Sequence, residues 1–366
     1  MLTVTPLLRV SVVAALAAVL AFVPACGKKN DSGKIKIGIV TNCTADFWSI
    51  CEAGAKKAAD KHNVDLQFRQ PEKAFDASVQ TPIVEAWVKQ GLDGIAVSVI
   101  DPEGQREDLT RFAKKVPLIA VDNNAPGTGC KCYIGIDNYV AGKAVGRIVK
   151  SKNVLPNGGT VAVFIGSTKS ANGKARVLGV LDELAGEKDA QGVVGKHPTR
   201  GDISGRTFGK YFVVDASDKV GGAEGAARED GEPSKAQATA AAVLTRVKGL
   251  PDLCMVGLYA YNPPAILAEA KSKGMAAQLK IVGFDEDFAT LAAIAAGEIE
   301  ATVVQDPFKY GEESVTALAT KNYNVPIIPY RVVNKTGDKI DGITVEVLPV
   351  KAFEDKLRAD IASVKK

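Results

Sequence analysis

From residue 34 onward, short runs of β-branched and apolar residues alternate with longer stretches whose apolar positions recur every three to four residues. Runs of the first kind suit strands buried on both faces, and stretches of the second suit helices with one apolar stripe. The alternation therefore predicts βαβ units and a parallel sheet. Strands are expected at 35–40, 64–70, 94–99, 117–122 and 133–137, with helices at 47–61, 76–90, 104–115 and 139–150. In the stretch from Asp76, for example, Val79, Ile83, Val84 and Val88 fall on one helical face. A second series repeats the plan, with strands at 161–166, 211–215, 254–259, 280–284 and 301–305 and helices at 174–185, 234–247, 263–273, 287–296 and 309–321. The chain reads as α/β, with two doubly wound parallel-sheet lobes. One stretch breaks the rhythm. Residues 195–232 are Gly-rich, charged and too long for an ordinary α/β connection, which predicts a surface excursion around the strand at 211–215.

The N-terminus follows a different pattern. Arg9 precedes an apolar run over 10–25 that is shorter than the ~20 residues needed to span a bilayer, and the run ends in Val23-Pro24-Ala25-Cys26-Gly27. This resembles a bacterial lipobox, so residues 1–25 are expected to be a lipoprotein signal peptide, Cys26 the lipid anchor and 26–33 a polar tether. Export would place Cys43, Cys51, Cys130, Cys132 and Cys254 in an oxidising compartment. Five is odd, so at least one thiol stays unpaired within the chain. One or two disulfides near the first and fourth strand ends are expected, with connectivity open and buried free thiols as the alternative.

Composition narrows the function. The 366 residues are 46% hydrophobic and 24% charged, which is globular composition and enough for two domains. The net charge of +4 is spread along the chain without a basic stripe, so nucleic acid is not an expected partner. His62 and His197 are the only histidines, which excludes a multi-His metal site, and no metal or cofactor is expected. Gly173-Lys174 is followed by Ala175 and lacks the upstream spacing of a phosphate-binding loop, and no Gly-x-Gly-x-x-Gly follows a strand. An enzyme is not indicated. Arg200-Gly201-Asp202 spells an adhesion tripeptide, but three residues carry little information.

In doubly wound sheets ligands bind at the carboxyl ends of the strands, so polar and aromatic residues there are the candidates. The first lobe offers Asp46, Phe47 and Trp48 after its first strand, Ser98 after the third, and Asp122 and Asn123 after the fourth. The second offers Asn172 and Arg176, Tyr261 and Asn262, Asp285, and Gln305. Each taken singly could be a helix cap, a turn residue or core. Together they suit a neutral polyhydroxylated ring, whose C–H faces pack on aromatic rings while its hydroxyls need charged or amide partners.

These residues resemble the ribose-binding-protein family of periplasmic sugar-binding proteins that feed ABC importers. The resemblance runs from Lys34 to about Val350. It is carried by Thr44 to Trp48, Ser98 to Pro102, Val121-Asp122-Asn123, Ile136 to Tyr139, Arg176 to Gly179, Val282 to Asp285 and Ala301 to Gln305. It implies the type I fold, with one lobe of 34–136 plus 306–336, another of 137–305 plus 337–366, and three hinge crossings near 136–138, 305–307 and 335–342. It further implies that Phe47 and Trp48 stack on the sugar, that Asp122 and Arg176 hold ring hydroxyls, and that Asp285 and Gln305 complete the clamp. An ABC permease in the membrane is the implied partner, a monomer is expected, and no chemistry is performed. Asn123 stands where the ribose binder has Arg, and Tyr261-Asn262 followed by Pro263-Pro264 stands where it has an Asn-Asp pair, which speaks against ribose itself. The same fold could instead serve a membrane sensor with a sugar-like signal such as autoinducer-2. The lactose-repressor family shares the fold but carries a helix-turn-helix where this chain has its apolar leader.

Overall fold

The computed structural model describes residues 33–186, 192–214 and 233–363. The expected leader, the Cys26 anchor and residues 215–232 of the expected excursion lie outside the described residues.

The first sheet contains β1 (Ile35–Val40), β2 (Val64–Arg69), β3 (Gly94–Val97), β4 (Leu118–Val121) and β5 (Tyr133–Ile134), in the order β2-β1-β3-β4-β5, with every pair parallel. β3 and β4 are buried throughout, as expected of parallel strands covered on both faces. Between the strands run α1 (Asp46–His62), α2 (Ala77–Gln90) and α3 (Arg106–Ala113). The caps follow local chemistry. Asp76 accepts the Ser78 N–H at 2.9 Å to start α2, while Asn63 and Gly91 end α1 and α2 in the left-handed region.

After β5 the chain enters α4 (Asn138–Lys150) and the second sheet. Its parallel centre is β6 (Gly159–Phe164), β9 (Tyr211–Val214), β10 (Leu253–Gly257), β11 (Leu279–Phe284) and β12 (Ala301–Val304). Helices α5 (Ala171–Ala185), α6 (Pro233–Val247), α7 (Asn262–Ser272) and α8 (Phe288–Ala296) alternate with these strands. The sheet does not stay parallel to its edges. β7 (Val193–Lys196) and β8 (Ser204–Phe208) add an antiparallel meander beside β9, so this part of the expected excursion is sheet. At the other edge β13 (Arg331–Asn334) runs antiparallel to β12 and carries β14 (Val347–Pro349). These additions are short strands with no strong alternation to announce them.

The chain passes between the sheets three times: over 135–137, over 305–306 into α9 (Pro307–Thr320), and over 321–330 back to β13. The last passage corrects the sequence-based crossing near 335–342 and the lobe boundary at 336. Arg331–Asn334 already pairs with β12, so the return is complete before residue 331. The passages are tied together, since Ile328 N donates to Gly135 O at 2.9 Å and Arg331 Nη2 donates to Asp306 Oδ2 at 2.7 Å. α10 (Val350–Ala362) closes the chain against α8 and β13.

The expected disulfides are absent: Cys43, Cys51, Cys130, Cys132 and Cys254 are all free thiols. Cys51 and Cys254 are sealed inside the apolar core, and Cys130 and Cys132 pack against different hydrophobic clusters. His197 and the adhesion-like tripeptide are structural. The imidazole Nε2 lies 2.9 Å from Thr160 Oγ1 with its ring edge on Phe212, and Arg200 pairs with its own Asp202 through two 2.9 Å bonds.

α1 and α9 cross at glycines. A Cβ at Gly54 would collide with the Phe308 carbonyl, and one at Gly311 with the Cys51 carbonyl. Backbone cannot yield as a side-chain tip can. Gly311→Ala is therefore expected to lower stability by about 2 kcal/mol, read as a reduced denaturant midpoint at unchanged slope. An unshifted midpoint would contradict the close crossing.

Candidate ligand-binding site

A cavity of about 50 Å³ lies between the carboxyl ends of the two sheets. From the first sheet it is lined by Asn42, Cys43 and Ala45 after β1, Phe47 and Trp48 in the first turn of α1, Phe75 after β2, and Asp122 after β4. From the second come Asn172 and Arg176 on α5, Tyr259, Ala260 and Tyr261 after β10, Asp285 after β11, and Gln305 after β12.

Arg176 lies at the centre of the polar part. The residue is 1% exposed and its guanidinium lies over Phe284, 3.9 Å from the ring centroid, with Tyr259 at 5.6 Å. Nε donates to Asn138 Oδ1 and Nη1 to Leu258 O, both at 2.8 Å, while Asp285 Oδ2 stands 3.8 Å from Nη1. Nη2 is buried and has no hydrogen-bond partner among the described residues. Two of its three nitrogens are thus held by protein acceptors, the third has none, and the residue lines the cavity.

Two buried carboxylates flank it. Asp122 accepts Ser98 Oγ at 3.2 Å and Asn172 Nδ2 at 3.4 Å. Burial pushes its carboxyl up to about 6, with the Arg176 charge opposing. Asp285 accepts Gln305 Nε2 at 2.6 Å, and Gln305 Oε1 in turn accepts the Tyr310 hydroxyl at 2.8 Å. Burial raises the Asp285 carboxyl as well, again against the Arg176 charge. Both residues have left-handed backbone, φ 62° at Asp122 and 75° at Asp285. That conformation turns each side chain off the strand line, and Asp tolerates it better than most residues.

The aromatic part is built on Asn42. Its Oδ1 accepts Trp48 Nε1 at 3.0 Å, and its carbonyl accepts Phe75 N at 2.7 Å. Trp48 is 2% exposed and meets Phe47 edge to face at 5.0 Å. Phe75 also sits at left-handed φ, 53°, which costs a bulky residue about 1–2 kcal/mol. Its ring meets Tyr259 of the other sheet at 6.0 Å. Tyr259 OH lies 2.6 Å from Ser170 Oγ and 3.2 Å from Asn172 Oδ1.

Of the residues expected from sequence, Phe47, Trp48, Asp122, Asn172, Arg176, Tyr261, Asp285 and Gln305 line the cavity. Four do not. Asp46 is exposed on the first turn of α1, where it complements the helix dipole. Ser98 stands behind Asp122 and supports it. Asn123 turns away, donating through Nδ2 to Val99 O and accepting Asn172 N at 3.0 Å, so it joins the sheets. Asn262 is buried and accepts Tyr259 N at 3.0 Å, folding the turn that presents the tyrosines. Sequence reasoning missed Asn42, Cys43, Phe75 and Tyr259. It also missed Gln80, whose Nε2 binds Thr41 O at 2.9 Å and Ser98 O at 2.7 Å and so fixes two strand ends. Asn42 and Phe75 lie at strand carboxyl ends, a signal that a wider search there would have caught; the buried Gln80 on a helix had none.

A family model described as a periplasmic binding protein domain matches residues 37–321. The chain belongs to this family of periplasmic binding proteins. Such proteins bind solutes without transforming them, in keeping with a cleft built of donors, acceptors and rings. Among solved structures, this binding protein is similar to an ABC-transporter solute-binding protein of Burkholderia graminis in complex with D-arabinose. The two are 22% identical with a TM-score of 0.68, over 82% of this chain and 95% of the other. It is also similar to GanP, a glucose-galactose-binding protein of Geobacillus stearothermophilus, at 23% identity and a TM-score of 0.67, over 82% and 97% of the two chains. Both likenesses are of fold. A curated relative, the xylose/arabinose-binding protein XylF of Sulfolobus acidocaldarius, is 29% identical over 125 residues, a stretch covering 30% of each chain.

Proposed function

We propose that this binding protein is the exported receptor of an ABC importer, held to a membrane through lipidated Cys26, and that it encloses a monosaccharide between two lobes. The observation that carries the reading is the free Nη2 of Arg176, a buried charged donor in a cavity otherwise furnished with two carboxylates, three amides and aromatic rings. Hydroxyls of a sugar satisfy both the donor and the carboxylates without adding net charge, and its C–H faces suit the rings. The sugars named for the arabinose, glucose-galactose and xylose/arabinose binders support the same class.

The cavity of about 50 Å³ has room for a few water molecules. A sugar ring therefore enters as the sheets part about the passages at 135–137, 305–306 and 321–330, and closure buries it. The closed form presents both lobes to the permease in one arrangement. Calorimetric titration with D-arabinose, D-xylose, D-glucose and D-galactose tests the reading. Saturable binding of one sugar per chain, with a change in Trp48 fluorescence, is expected for at least one of them. Absence of heat and of fluorescence change with all four would remove the assignment.

A further inference from the structure

Glu286 is a buried carboxyl that the ligand cavity does not use. It follows Asp285, and the two part company at the end of β11: Asp285 lines the ligand cavity, while Glu286 lines a second cavity of about 10 Å³, room for about one water molecule. Gln305 and Asp306 divide in the same way after β12. Asp285 and Gln305 are joined on the ligand side at 2.6 Å, and on the far side Asp306 is tied to Arg331 Nη2 at 2.7 Å. Glu286 has no such tie. It is 3% exposed, and neither carboxylate oxygen meets a hydrogen-bond partner among the described residues. Arg331 Nε, from a residue lining the same cavity, is buried and likewise without one.

The cover over this carboxyl comes from both lobes. Pro307 and Phe308 begin α9, which packs along α1 and against the first sheet, whereas Phe353 and Leu357 belong to α10 on the second. Ile50 and Ala53 of α1 share one apolar cluster with Phe308, Phe353 and Leu357, so the seal is a seam between lobes. The passage at 305–306 runs through it. Parting α1 and α9 from α10 would admit water to Glu286. The charges facing it are Asp285 beside it, Asp306 on the passage and Arg331 on β13, while Lys356 and Asp360 of α10 line the cavity paired with each other at 2.6 Å. Burial raises the Glu286 carboxyl far above the usual carboxylate range, Asp285 and Asp306 raise it further, and the Gln305 N–H and the Arg331 charge oppose them. An ionised Glu286 under the seam would be a buried charge beside two like charges, and water relieves that cost.

We propose that Glu286 is a proton-operated latch on lobe closure: with a proton on its carboxyl the seam stays shut, and loss of that proton favours the open form. The proton enters from solvent as the lobes close and returns to it as they part, so ligand capture takes up a proton on the alkaline side of neutrality. Asp122 and Glu286 then act in opposite senses, one needing its charge for binding and the other needing to lose it. The latch rests on the closure described under the proposed function and adds its regulation.

The test measures the radius of gyration of the ligand-free full chain by small-angle X-ray scattering at pH 7 and pH 9, beside Glu286→Gln and Glu286→Met, two uncharged variants of which one serves if the other folds poorly. The unaltered protein is expected to expand at pH 9 by about 5% of the roughly 20 Å expected for this length, and both variants should stay compact. Calorimetry at pH 8 in phosphate and in Tris, with whichever of D-arabinose, D-xylose, D-glucose and D-galactose binds tightest, should show uptake of about half to one proton per sugar, absent in the variants. Affinity of the unaltered protein should fall about fivefold from pH 7 to pH 9, as one unit of difference between open and closed forms implies, and that of the variants should not. A radius unchanged with pH in the unaltered protein overturns the latch. So does an expansion that both variants keep, or sugar binding without proton uptake, and in these cases saturable binding leaves the sugar reading standing. If none of the four sugars binds, that reading falls and the scattering alone decides the latch.

Discussion

Arg176→Met is expected to weaken sugar binding by at least about 100-fold and to destabilise the protein at neutral pH by about 3 kcal/mol. The guanidinium touches both sides of the cavity's chemistry. Its Nη2 is buried without a protein acceptor, its charge offsets the burial of Asp122 and Asp285, and its plane covers Phe284. Removing it leaves two buried carboxylates without their cation, so both take protons more readily. A carboxyl whose folded pKa is raised lowers stability as pH rises from its unfolded value through its folded value. The deficit of the variant should therefore shrink on acidification from pH 7 to pH 5. Arg176→Lys keeps a charge without the fork or the flat stacking surface, so it should recover more stability than affinity. Calorimetry and urea melts at the two pH values read both quantities. Sugar affinity within a few-fold of the unaltered protein would show that the guanidinium does not touch ligand.

Asp122 predicts a pH dependence of binding. Its carboxyl, lifted by burial from 3.8 to about 6, is largely ionised at pH 7 and largely protonated at pH 5. On the proposed reading, hydroxyls donating to the ionised form would lower its pKa in the complex, so affinity, as far as Asp122 sets it, would be full above about pH 6 and fall as pH drops through that value. A loss of about fivefold between pH 7 and pH 5 is expected for roughly one unit of difference between free and bound protein, approaching tenfold below both values. Asp285 and Arg176 face Asp122 electrostatically, and Ser98 and Asn172 donate to it. Asp285 titrates in the same sense, because its carboxyl is raised for the same reason. Asp122→Asn should weaken binding at pH 7 by roughly 30-fold, as expected for losing a hydrogen bond to a charged group, and should flatten most of the pH profile. A profile as steep in Asp122→Asn as in the unaltered protein would assign the dependence elsewhere.

The carboxyl-end rule led to Asp122, Arg176, Asp285 and Gln305, and all four line one cavity. It could not choose between neighbours. Asp122 and Asn123 are adjacent, and only the left-handed turn at Asp122 sends one carboxylate to the cavity and one amide to Val99 and Asn172. Trp48 was legible as a cleft aromatic, yet the bond that orients it comes from Asn42, six residues earlier on the preceding strand's exit. Phe75 gave no periodic signal because it lies outside any element, and its partner Tyr259 is distant in sequence. The cysteines were read first from the redox compartment as disulfides, with buried free thiols as the alternative, and the core holds them individually as free thiols.

The alternation of buried strands and striped helices is a local property, since each residue's burial follows from the period of its own element, and for that reason the α/β class and its two-series plan are legible in the chain before it folds. Register, edge additions and the return of the chain at 321–330 depend on which strand is free to pair with β12, a question only the folded sheet answers. So does the free donor of Arg176. Its two satisfied bonds reach Asn138 and Leu258, far apart along the chain, and what remains unpaired is fixed by where tertiary packing brings them.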